Sequence, residues 1–357
     1  MDVGVAILSG GENKRFQQIG SIRKNKALEV VDNKRMIEWV IEVAYQVSNS
    51  VTVVAREKEQ EKLYSNLFSE KYPNLHVIAD MEGVGHSPLI GLATSARFIK
   101  KDRILVLPCD TPYIKIDVLK MLIEKAIHFD VVTPLWPDGK IEPLISVYKR
   151  EHIQLCYPAL LNLKRWRPSD FLRGSIKSYM INVENIKIFD PELISFYNIN
   201  YLQDIDKLTS QLHDGYIKDD KILCPNKADI KLMKEVIKSI SDKDKKLELI
   251  NSLVNSPFWF ALFSMTFQEL DEKWSIAAKN FETEANYFIK EEVKMLALHS
   301  LLDALLCWKR VGSAENIKRV ATQVEELKSD LNIDFEGRLK VLKKIEIPSK
   351  DFITKRE

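Results

Sequence analysis

A chain of 357 residues is longer than one hydrophobic core usually serves, so two domains are expected. Hydrophobic residues make up 45% and charged residues 29%, as in a globular protein, and a formal net charge of +2 is too balanced for a nucleic-acid or anionic-membrane binder, so a basic site must be local. No run reaches transmembrane length, and the start at Met1 lacks the charged and apolar regions of a secretory signal, which makes a cytoplasmic location the expectation.

The stretch from Val3 to Leu28 joins a buried apolar run to a glycine pair and a loop thick with positive charge. Val5, Ala6, Ile7 and Leu8 lack polar alternation, which suits a first strand covered on both faces. Ser9, Gly10 and Gly11 then turn the chain, and Lys14, Arg15, Arg23, Lys24 and Lys26 supply charge for a polyphosphate. The segment fits neither the dinucleotide G-x-G-x-x-G nor the P-loop pattern. A helix is expected from Lys34 to Ser48, with apolar Met36, Ile37, Val40, Ile41, Ala44 and Val47 on one face. Val51 to Ala55 reads as a second strand, Glu57 to Tyr72 as a polar-faced helix, and Leu75 to Ala79 as a third strand leading into Asp80.

A helix starting near Pro88 is expected to bury Leu92, Ala96 and Ile99. Arg103 to Leu107 reads as a central strand that delivers Pro108, Cys109 and Asp110 to the carboxyl edge of the sheet, where open α/β sheets bind ligands. A lone carboxylate there suits a Mg²⁺ whose other ligands are nucleotide phosphates and water, and it equally suits a cap for the Thr111-Pro112 turn. Phe129 to Thr133, Glu142 to Tyr148 and Tyr179 to Val183 read as further strands. Between them, Lys164, Arg165, Arg167, Arg173 and Lys177 gather around Trp166. That cluster suits either the phosphate and rings of a second substrate or a solvated helix face. Phe196 to Asp204 alternates Asn198 and Asn200, which in a strand would face one side.

After about Thr209 the character changes. Residues 211–226 are polar with turn signals and read as a linker, and residues 227–357 read as an all-α helical domain of unknown role. Its apolar stripes include Ile230 to Ile240, the aromatic run that Pro257 opens, a nearly all-round apolar helix over Glu292 to Lys309, and Ile317 to Leu331. Cys109, Cys156, Cys224 and Cys307 are scattered, so reduced, buried thiols are expected.

Six separated signatures run in one order: LSGG with a later R-F and K-A-L, then V-I-A-D, S-P-L-I-G-L, L-P-C-D-T-P-Y-I, E-P-L-I-S-V-Y and F-Y-N-I-N-Y-L-Q-D. Together they resemble the molybdenum cofactor guanylyltransferase family over residues 3–209. The resemblance implies a doubly wound, mostly parallel α/β sheet of the nucleotide-diphospho-sugar transferase type in residues 1–210. It implies GTP and molybdopterin as substrates and Mg²⁺ as cofactor. By the same resemblance, Leu8, Ser9, Gly10 and Gly11 bind the nucleotide through backbone, Lys26 with Arg15 meets phosphate charge, Asp80 lies near the guanosine, Asp110 holds the metal, and Asn198 and Asn200 face the pterin. Glu142 to Leu144 match the family's Pro-Leu segment. The chain departs from the family in a longer stretch between Arg15 and Lys26, in Val54 where many members carry asparagine, in Ser87 where glycine precedes Pro-Leu, and in the helical extension. Cytidylyl transfer, a sugar-phosphate acceptor, and a nonenzymatic carrier whose helices dock partners are the competing readings. Enzymes that make or receive the cofactor are the expected partners of the helices.

Overall fold

The computed structural model describes residues 2–9, 25–82, 85–199, 217–228, 232, 235, 248–266 and 272–331. The apolar runs become the strands β1 (Val3–Leu8), β4 (Val51–Ala55), β5 (His76–Ala79), β6 (Arg103–Pro108), β7 (Val131–Leu135), β8 (Ser146–Lys149), β9 (Ser178–Asn182) and β10 (Lys221–Leu223). A separate hairpin, β2 (Val30–Val31) with β3 (Lys34–Arg35), turns through Asp32 and Asn33 at positive φ. The eight-stranded sheet runs β10-β9-β7-β8-β6-β1-β4-β5, and β8 and β10 oppose the direction of the others.

Helices α1 (Met36–Tyr45), α2 (Lys58–Phe68), α3 (Pro88–Phe98), α4 (Ile116–Lys125), α5 (Arg150–Asn162), α6 (Ser169–Arg173) and α7 (Val183–Ile186) connect the strands. Alternation along the strands serves two cores. Val5 and Ile7 pack with Ile37, Val40 and Ile41 of α1 and with Leu119 and Leu122 of α4. Ala6 packs on the other face with Leu89 and Leu92 of α3 and Ile153 of α5. Burial on both faces is why β1 shows no polar alternation.

The second core continues into α8 (Pro257–Ser264), α9 (Lys273–Lys290), α10 (Lys294–Val311) and α11 (Ala314–Asp330), whose Phe258, Phe281, Leu301 and Val324 belong to the same cluster as Ala6. Two glycines mark where these helices meet the sheet layer. The turn at Gly139, at φ +87°, comes so close to the start of α10 that a Cβ would stand 2.7 Å from the Glu292 carbonyl and the Lys294 nitrogen. A Cβ on Gly174 would stand 2.6 Å from the Trp259 ring, whose Nε1 donates to the Gly174 carbonyl at 2.9 Å.

Several local expectations shift. Lys221–Leu223, inside the stretch read as a linker, pairs antiparallel with β9. The strand expected from Glu142 begins only at Ser146, because Pro143 has no N–H to give a ladder and the Ile145 N–H turns back to the Glu142 carbonyl at 3.1 Å. Cys224 is exposed beside the edge strand, whereas Cys156 and Cys307 are buried as expected. The stripe from Ile230 to Ile240 falls largely outside the described residues. Among the described residues no helix is long and apolar enough to cross a membrane.

Candidate active site

Strand register sets Leu8 beside both Val54 and Pro108, so Ser9 and Cys109-Asp110 leave the sheet side by side. The Ser9 N–H donates to the Val54 carbonyl at 2.9 Å, and the Cys109 N–H donates to the Leu8 carbonyl at 3.2 Å. Val54 thus contributes backbone where an asparagine side chain was the family expectation. Lys26 opens a short 3₁₀ turn, Lys26–Leu28, which the Asn25 carboxamide caps by accepting the Ala27 N–H at 3.2 Å. From that turn the Lys26 ammonium reaches the Asp110 carboxylate at 2.6 Å, both side chains largely shielded at 14% and 22% exposure. An ammonium and a hard oxygen donor are thereby held together at the edge of the sheet.

A phenol that sequence reasoning missed ties this region together. Tyr64 of α2 is fully buried, and its hydroxyl donates to Asn25 Oδ1 at 3.0 Å. With its one proton so used, it accepts from Ser9 Oγ at 2.8 Å and from Gln60 Nε2 at 3.0 Å. Burial pushes the Tyr64 pKa up, so the donor stays protonated. One side chain therefore joins the exit of β1 to the turn that carries Lys26. Its only sequence signal was an apolar position on a polar helix.

Asp80 ends β5 and is buried, with Thr94 Oγ1 donating to its Oδ1 at 2.9 Å. Burial raises its pKa to about 6 despite that hydrogen bond. A cavity of about 300 Å³ opens there between Arg56 to Glu59 and Ala79 to Glu82. Ser87, in the place of the family's glycine, caps α3 by accepting the Ile90 N–H at 3.4 Å.

A larger cavity, about 610 Å³, extends from Pro108 and Asp110 past Glu142 to Ile145 and Asn198, and is closed by Met295, His299 and Leu302 of α10. Asn198 arrives there by a bend rather than a strand. Leu193 takes a left-handed conformation, the Ser195 N–H donates to Asp190 at 2.8 Å, and the Ile199 N–H donates to the Asp110 carbonyl at 3.0 Å. Residues 196–199 are not a strand, so the alternation of Asn198 and Asn200 does not set a strand face there, and residues 200–204 lie outside the described residues.

The basic cluster around Trp166 divides: Lys164, Trp166 and Arg167 line the large cavity, Lys177 is exposed, and Arg165 and Arg173 turn inward. Arg165 and Arg173 are buried at 8% and 0% exposure. Arg165 pairs with Asp170 at 2.9 Å and Asp303 at 2.5 Å, while Arg173 pairs with Glu284 at 2.6 Å, Asp303 at 2.6 Å and Asp170 at 2.9 Å. Arg167 reaches Asp303 at 3.5 Å, so three guanidiniums face three carboxylates, two of which come from α9 and α10. Burial works against the charge on Asp303, yet those guanidiniums hold its carboxyl well below the usual range.

Against known proteins, residues 5–174 match the family described as the MobA-like NTP transferase domain. This segment is a MobA-like NTP transferase domain. The chain is similar to a probable molybdenum cofactor guanylyltransferase of Methanosarcina mazei, 26% identical over 57% of this chain and 88% of that protein. A probable molybdenum cofactor guanylyltransferase of Carboxydothermus hydrogenoformans is 28% identical over 57% and 93%. Among solved structures, molybdopterin-guanine dinucleotide biosynthesis protein A of Archaeoglobus fulgidus is 26% identical, covering 57% of this chain and 96% of its own, at a TM-score of 0.47. The family match and the curated relatives make the matched segment a nucleotidyltransferase.

Within the transferase domain, Leu8, Ser9, Lys26 and Asp110 lie together where β1 and β6 leave the sheet. Asn198 shares the large cavity with Asp110, and Asp80 stands in the smaller one at β5. Gly10, Gly11, Arg15 and Asn200 lie outside the described residues.

Proposed function

We propose that the chain transfers GMP from GTP to molybdopterin, forming molybdopterin guanine dinucleotide and releasing pyrophosphate. The observation that carries this reading is the Lys26–Asp110 pair at 2.6 Å, standing at a sheet edge that holds both cavities. The names of the curated relatives support the choice of donor and acceptor. A terminal phosphate oxygen of molybdopterin forms a bond to the α-phosphorus of GTP. The bond from that phosphorus to the oxygen bridging the β-phosphate breaks, and its electron pair leaves with pyrophosphate. A phosphate monoester has its second pKa near ~6, so the attacking group is mostly dianionic at neutral pH and no general base is required. Burial pushes the Cys109 thiol up to about 12, which keeps it protonated beside Asp110 and out of any nucleophilic role.

The donor set fits a nucleotide-bound Mg²⁺. Among the described residues no group of three or more His, Cys, Asp or Glu side chains forms a metal site. One carboxylate at the sheet edge is what such a cation takes when phosphates and water complete its shell. Asp110 would hold it, and when bound it supplies charge neutralisation to the departing pyrophosphate. Lys26 meets the negative charge developing on the phosphates, and Leu8 and Ser9 present backbone to the nucleotide, continued by Gly10 and Gly11. Arg15 assists at the phosphates, Asp80 faces the guanosine, and Asn198 with Asn200 orients the acceptor.

Pyrophosphate release, followed with Mg²⁺, molybdopterin and each nucleotide in turn, tests the reading. GTP is the expected donor, and faster release from CTP overturns that choice. Asp110→Asn keeps the shape of the side chain but removes its charge. Transfer is expected to collapse, as the loss of several kcal/mol of Lewis-acid stabilisation requires, while the thermal midpoint holds. A folded variant with near wild-type turnover would make Asp110 a turn cap.

A further inference from the structure

We propose that α10 forms a wall of the acceptor site, so that the C-terminal helices take part in recognising a phosphomonoester that carries a flat heteroaromatic ring. The inference rests on the transfer reading above and assigns the helical segment a role within it. Met295, His299 and Leu302 stand at i, i+4 and i+7 on α10, which places them on one helical face. All three line the cavity of about 610 Å³ whose other walls carry Asp110 and Asn198.

That face is held in place from several sides. The Met295 N–H donates to the Gly139 carbonyl at 3.1 Å. The His299 ring is fixed through Nδ1 to Ser169 Oγ at 2.9 Å, and its carbonyl accepts from Arg167 at 3.4 Å. Asp303, next in the chain after Leu302, is clamped by the buried Arg165 and Arg173. A wall fixed in this way is ready-made for a ligand and costs little to order on binding.

The lining chemistry indicates the occupant. Trp166, Met295 and Leu302 offer an aromatic face, a polarisable thioether and an aliphatic surface for a planar ring. Lys164 and Arg167 bring positive charge to the same walls, which suits the phosphate that must reach Asp110. The volume lies within the range of small-molecule sites. A small hydrophilic acceptor would leave the apolar wall of α10 unused.

Steady-state kinetics of full-length wild type, Met295→Ala and His299→Ala, with GTP, Mg²⁺ and molybdopterin, test this assignment. Each substitution is expected to raise KM for molybdopterin by about tenfold or more, as losing a packed group from a pocket does. KM for GTP is expected to stay unchanged, because α10 lines only the other cavity. His299 also holds Ser169, so thermal midpoints are measured in parallel and Met295→Ala serves as the arm free of that hydrogen bond. Unchanged molybdopterin KM in folded variants overturns the inference, and so does an equal rise in both KM values. Those results leave the transfer reading standing. Wild type that releases no pyrophosphate with molybdopterin overturns the transfer reading itself, and this inference with it.

Discussion

Asp80 is buried at 7% exposure with the Thr94 hydroxyl donating to it, and that burial sets a pH dependence. Its pKa rises from 3.8 to about 6 on folding. Between those values the folded chain keeps a proton that the unfolded chain has lost, so stability falls as pH rises through the window and levels off above it. Asp80→Asn removes the buried charge and is expected to stabilise the fold by up to ~3 kcal/mol above pH ~6, with the two proteins converging below pH ~4. Urea melts across pH read this directly. If Asp80 faces guanosine as proposed, the same variant raises KM for GTP, so a gain in stability accompanies a loss of function.

Whole elements are positioned at few points, and the Trp136 to Lys140 turn is one of them. Gly139 combines a positive φ with an approach to α10 too close for any Cβ. Gly139→Ala must strain the turn and push α10 away, with an expected cost larger than the ~1 kcal/mol that a glycine change at a compatible position can gain. Lys140 and Ile141 line the large cavity directly after this turn, so the expected signature is a lower thermal midpoint together with a raised KM for molybdopterin. A variant with wild-type melting would show that the turn and α10 are free to separate.

For the molecule as a whole, the decisive contact is the largely buried group of three arginines and three carboxylates that joins α6 and the segment before it to α9 and α10. Arginine does not give up its proton, so removing one carboxylate leaves a buried charge without its counter-charge. Asp303→Asn is expected to destabilise the full chain by about 3–5 kcal/mol in urea melts. The loss should appear in one cooperative transition, since Phe258, Phe281 and Leu301 share a core with Ala6 of β1. Two well-separated transitions would instead favour helices that unfold independently of the sheet.

Periodicity and turn chemistry are local, and what depends on them was legible in the sequence. The runs at Val5 to Leu8 and Arg103 to Leu107 announced doubly covered strands, and the strand ending in Pro108 carried Asp110 to the sheet edge. Pairing across long separations was not legible. The segment around Trp166 read as basic because its neutralising groups, Glu284 and Asp303, lie 111 and 138 residues from Arg173 and Arg165. Tyr64 likewise stands 55 residues from the serine it holds. The stripe of α10 was visible as a helix face, but only packing against Gly139, Ser169 and Arg165 made it the wall of a cavity. Counter-charge and cavity shape belong to surfaces brought together by folding, and no local window of residues contains both sides.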